Sequence, residues 1–105
     1  METMVKETAA KIAGALGMSE EALFRQALVS FLHQQKREVL QHRLEILARY
    51  GVDSLETLES RIARGEIAEH PAWEDLIVAE NLAARQEELD AYLDDLQEAE
   101  KHRAK

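Results

Sequence analysis

Apolar and polar residues alternate along this chain with the period of an α-helix, and glycine interrupts the pattern three times. Val5, Ala9, Ile12, Ala13 and Leu16 recur at helical spacing, which predicts a first helix over residues 6–16. Residues 1–5 are open to either a short strand or a loose helix start. Leu16-Gly17-Met18-Ser19 reads as a stop followed by a start. Gly17 suits the left-handed position past a helix end, and Ser19 suits an N-cap. Glu20 and Glu21 complement the positive end of the next helix dipole. That second helix extends from Ser19 to Tyr50 with neither Pro nor Gly. At about 1.5 Å per residue it is roughly 45 Å long, against a radius of gyration of about 13 Å for a compact chain of this size. The rod must overhang its own domain.

The rod carries two apolar zones. Leu23, Phe24, Ala27, Leu28, Phe31 and Leu32 make the first, and Val39, Leu40, Leu44, Ile46, Leu47 and Tyr50 the second. The polar run His33 to Glu38 separates them. Two zones on one rod predict two packing partners. Gly51-Val52-Asp53 ends the second helix, and Asp53 with Glu56 three residues on resembles a capping box for a third, about ten residues long. Leu55, Leu58 and Ile62 line its apolar edge, and Gly65 stops it. Pro71 fits the first turn of a fourth helix. Leu82, Leu89 and Leu96 follow there at heptad spacing, interleaved with Val78, Arg85 and Tyr92, a partial coiled-coil seam. A helix as short as the third acts as a reversal. The fourth is then expected antiparallel to the distal half of the second, with Leu40, Leu44 and Leu47 meeting Trp73, Ile77 and Leu82. Helix one and the first half of helix two would remain an apolar hairpin without cover from its own chain.

Charge sharpens this picture. The net charge is −8, unevenly spread: residues 1–50 hold seven Lys/Arg and six Asp/Glu, residues 51–105 six and fifteen. An acidic second half repels phosphate and argues against nucleic acid as a partner. It suits a basic protein surface. The absence of cysteine excludes disulfides and thiolate chemistry. No apolar run is long enough to cross a membrane, and the acidic N-terminus lacks the apolar stretch of a signal peptide. Cytoplasmic location is the expectation.

Catalytic and metal chemistry find little support in the residues. His33, His42, His70 and His102 lack the Glu-x-x-His spacing of di-iron bundles. Glu38, His42 and Glu45 share a helix face and form the one candidate metal cluster, supplying at most three ligands. The carboxylates of residues 87–100 lie on a polar helix face rather than in a cleft. No serine sits in a Gly-x-Ser-x-Gly setting and no glycine-rich loop is present to cradle phosphate. No catalytic residue, metal or cofactor is therefore assigned. Trp73 beside Pro71 is a candidate anchor for a partner, since Trp is enriched in binding hot spots.

The stretch Glu7 to Leu32, and in it Ala13 to Leu16, Gly17, Ser19, Leu23, Arg25, Ala27-Leu28 and Phe31-Leu32, resembles the two helices of ribbon-helix-helix proteins, which include many antitoxins. The resemblance implies that residues 2–6 form a strand pairing with its twin in a dimer and entering the DNA major groove. It implies that the helices interlock as the dimer core, and that the distal region wraps a partner toxin. The implied ribbon has one Lys and none of the Arg or Asn that read base edges best.

Taken together, the sequence predicts a non-enzymatic, all-α protein, an elongated intertwined homodimer that binds a toxin-like basic protein. A DNA-binding regulator using the ribbon and a metal-binding helical protein are the alternatives. The chain is read as one domain, residues 1–105, with a dimerisation hairpin over 6–35 and an antiparallel arm over 36–105. Ile12, Leu16, Leu23, Phe24, Leu28, Phe31 and Leu32 are the expected dimer interface, and Trp73, Tyr92, Asp94 and Asp95 the expected partner-binding residues.

Overall fold

The computed structural model describes residues 2–103, which form four α-helices and no strand. The helices are α1 (Glu2–Leu16), α2 (Glu20–Arg49), α3 (Leu55–Ala63) and α4 (Glu69–Arg103). The fold is all-α and elongated, 60 × 33 × 19 Å, with a radius of gyration of 20.1 Å.

One device ends each of the first three helices. Gly17, Gly51 and Gly65 take positive φ of 67°, 63° and 76°. In each case the residue after the glycine bonds back to the carbonyl five before it: Met18 to Ala13 at 3.0 Å, Val52 to Leu47 at 3.1 Å, Glu66 to Arg61 at 2.9 Å. This is the Schellman motif, which satisfies carbonyls the helix end would orphan and turns the chain sharply. Serine starts the next helix in two cases. Ser19 Oγ accepts from Ala22 N–H at 3.0 Å, with Glu20 and Glu21 in the first turn. Ser54 Oγ accepts from Thr57 N–H at 3.1 Å. The cap of α3 is therefore Ser54 and not Asp53, because the extended backbone a cap requires falls at Ser54. In α4 the backbone is non-helical at His70 (φ −110°, ψ 125°), since the Pro71 ring pushes the preceding residue out of the α region.

Of residues 1–5, open to strand or loose start on the sequence, residues 2–5 are the first turn of α1 and residue 1 lies outside the described residues; the strand that the resemblance implies over residues 2–6 is helix. Of the basic tail, Lys101 to Arg103 continue α4, and residues 104 and 105 lie outside the described residues.

α2 is one unbroken rod, and α4 runs antiparallel along nearly all of it. Cross-links mark the register: Lys36 to Asp90 at 2.5 Å, Arg43 Nη1 to Gln86 Oε1 at 2.6 Å, Arg49 Nη1 to Asp75 Oδ2 at 2.9 Å. The Tyr50 hydroxyl also donates to Asp75. The pairing continues into the first half of α2, where Leu32 shares a cavity with Leu96, and Val29 another with Glu100. The expectation that this half lacks intrachain cover is thus corrected. α3 and its two tight turns return the chain at the level of Tyr50, which leaves α4 enough residues to travel back along the whole rod.

The core sits where α2, α3 and α4 converge, built from Leu47, Val52, Leu58, Ile62, Ala72 and Leu76. Up the rod, Val39, Ile46, Ala79, Leu89 and Leu93 are buried. The expected facing set is also corrected. Leu47 is buried and Leu82 half-buried, but Leu40, Leu44, Trp73 and Ile77 are exposed. Ala72, Leu76 and Ala79 lie on the contact line of α4, so Trp73 and Ile77, one position on from Ala72 and Leu76, are rotated outward by about 100°.

Candidate protein-interaction surface

α1 lies on α2 through Ala9 and Ala13, the buried side chains of that helix. Its larger apolar residues face outward: Val5 is 63% exposed and Leu16 66%. A cleft of 520 Å³ opens between α1 and α2, with Val5 and Ile12 on one wall and Leu23, Phe24 and Ala27 on the other. Phe24, Leu28, Phe31 and Gln35 succeed one another at i, i+4, i+7 and i+11, one face of α2. The row leads from that cleft into a second groove, of 660 Å³, between α2 and α4. Phe31 and Val39 form its α2 side, and Val78, Leu82, Leu89 and Tyr92 its α4 side.

Each residue of the expected dimer interface has a definite place on this surface. Ile12, Leu16, Phe24, Leu28 and Phe31 are exposed, Phe31 by 56%, and Leu23 and Leu32 are half-buried. The expected partner-binding residues do not form one site. Tyr92 and Asp95 gather beside Leu28, Leu32 and Leu96, and Asp94 is exposed nearby. Trp73, 51% exposed, lines a separate hollow against Ile62 and Ala63 of α3. Nineteen residues of helix separate Trp73 from Tyr92, about 28 Å.

The groove between α2 and α4 was not legible as such. Its signal is the Val78, Arg85, Tyr92 row that interrupts the leucine heptad. Leu82, Leu89 and Leu96 lean toward α2, half-buried or buried, while the interleaved row forms the outer wall. What reads as a flawed seam is the lip of a groove.

Charged residues elsewhere are tied locally. The Tyr50 hydroxyl, and after it the Arg49 guanidinium, hold the Asp75 carboxyl below the ordinary carboxylate range, against the opposing effect of burial. Burial, and then the bond to Asp75, push the Tyr50 phenol up. Glu74 is drawn down by its own backbone N–H and by His70, whose Nδ1 lies 2.9 Å from Glu74 Oε1. These groups staple helix ends. Glu38 accepts from Gln35 at 3.5 Å and Glu45 from Gln41 at 3.2 Å. Among the described residues no group of three His, Cys, Asp or Glu is placed to hold a metal ion, and no helix is long and apolar enough to cross a membrane.

Fold and surface together define an elongated all-α protein, a helical hairpin with an uncovered apolar flank. The chain belongs to the uncharacterized protein MJ0235 family, whose sequence pattern matches residues 1–101. No curated protein and no solved structure is a significant match to it.

Proposed function

We propose that this protein is a non-enzymatic protein-interaction module of the cytoplasm, which self-associates as a homodimer through α1 and the first half of α2 and binds a basic protein partner. One observation carries the reading: Ile12, Leu16, Phe24, Leu28 and Phe31, all on α1 and the first half of α2, are exposed. A large apolar side chain left in water forfeits about 1.5–3 kcal/mol relative to burial. Contiguous exposed apolar surface of this kind marks protein association. The acidic outer face of α4, with Asp94 and Asp95 exposed, suits a basic partner. Such use parallels that of antitoxins, which the hairpin resembles in sequence. A DNA-reading ribbon is no part of this reading, because residues 2–6 are helical.

Sedimentation tests it. The expected mass is twice 11.9 kDa, falling to that of one chain in Leu28→Asp/Phe31→Asp with helix content kept, since both side chains are exposed in the single chain. A cooperative monomer, indifferent to those substitutions, would refute the proposal.

A further inference from the structure

Two neighbouring features of this molecule each lack what the other has. The side chains that α1 buries against its own chain are two alanines, Ala9 and Ala13, and its larger apolar residues stay exposed. A helix of fifteen residues is marginal in water without tertiary packing. Alongside, the groove between α2 and α4 has apolar walls and is open to solvent. We propose that this groove receives α1 of a second copy, and that the exchange is reciprocal, closing a two-fold dimer with two equivalent helix-in-groove contacts. The inference rests on the homodimer reading and specifies its geometry.

Charge selects this occupant. The chain carries 21 Asp and Glu, yet none lines the groove, whose polar positions are Gln35, Asn81 and Arg85. The cleft beside α1 has none either. A basic partner would find no carboxylate there to pair with. A second acidic copy meets no like charge there, and α1 brings two Glu balanced by two Lys. Apposition of the acidic second halves, six Lys/Arg against fifteen Asp/Glu over residues 51–105, would set carboxylates against carboxylates.

Area agrees. A compact monomer of this mass exposes about 6,000 Å². This chain exposes 7830 Å². The surplus, about 1,800 Å², falls within the roughly 1,000–2,500 Å² that each subunit of an obligate dimer buries. Symmetry closes the contact: the α1 cleft meets α2 at Leu23–Ala27 and the groove begins at Phe31 on the same helix, and a reciprocal exchange about a two-fold axis leaves no end free to propagate.

The absence of native cysteine makes the arrangement measurable. Ile12→Cys is mixed with Val78→Cys, and separately with Tyr92→Cys, and oxidised mildly. All three side chains are exposed in the single chain, so each variant retains its fold. The expected result is a disulfide-linked pair in at least one mixture, about tenfold above Ile12→Cys mixed with Trp73→Cys. Val78→Glu is expected to weaken dimerisation at least tenfold by sedimentation. A dimer that cross-links only through Ile12→Cys alone would mean that the two α1 helices meet each other, and overturns the groove. So does a dimer indifferent to Val78→Glu. A monomeric native protein instead sinks the homodimer reading itself.

Discussion

Asp75 concentrates more polar structure than any other residue at the closed end of the hairpin. It accepts from the Tyr50 hydroxyl and from Arg49, and so joins the last turn of α2 to the first turns of α4. A carboxylate that gains donors on folding has a lower pKa folded than unfolded, as here. The resulting stability is present above the unfolded value of about 4 and is lost as pH falls through the lower folded value. Asp75→Asn is therefore expected to cost about 1 kcal/mol at neutral pH, typical of a hydrogen bond to a charged group that is partly screened. It should also flatten the acid limb of the stability curve below about pH 4, where the native protein loses this contribution. Urea titrations at pH 7 and at pH 3 check both parts, with the variant's deficit expected to shrink at the lower pH.

At the scale of elements, what was legible and what was not divide along a physical line. Helix ends are local chemistry: a glycine at positive φ and a serine cap announce themselves within a few residues, so α2 and α3 fall where the periodicity puts them. Facing register is not local. Leu40 and Leu44 repeat as well as Val39 and Ile46 do, and one rotation of about 100° decides which pair is buried. Ala72 and Ala79 make that choice from the other helix, by letting the backbones approach. Arg43 shows the same dependence. It reads as one more polar residue of the rod, yet it bonds to Gln86 across the seam and its Nε is buried. The candidate surface was legible as residues, in Phe24, Leu28 and Phe31, but not as a groove, because the Val78 and Tyr92 wall depends on that register. The turn end is where helices depend on one another most. Leu58 is fully buried at the junction of three elements. Leu58→Ala should cost about 2–5 kcal/mol, the range for a cavity in a packed core. Gly51→Ala should cost only about 1 kcal/mol, because no atom lies within 4 Å of the added methyl and the left-handed backbone is its sole penalty. Thermal unfolding of the two variants should therefore separate a packing loss from a purely conformational one.

The whole molecule combines a strong negative charge with an apolar groove and cleft that no acid lines, and the two act on association in opposite senses. Two copies of net charge −8 repel at distances beyond any contact. Neither the groove nor the cleft is lined by a carboxylate, and α1 brings two Glu balanced by two Lys. Salt shortens the Debye length from about 30 Å at 0.01 M to about 8 Å at 0.15 M. It therefore removes the long-range repulsion and leaves apolar burial untouched. The homodimer is expected to tighten as salt rises over that range, with most of the gain in the association rate, where long-range charge acts. A complex with a basic protein on the acidic face of α4 is expected to loosen over the same range, because there the charges attract. Sedimentation equilibrium across a salt series, with the native chain alone, measures the first of these. A dimer that dissociates as salt is added would show that ion pairs hold it, and would move the interface from the α1–α2 flank to the charged faces of the rod.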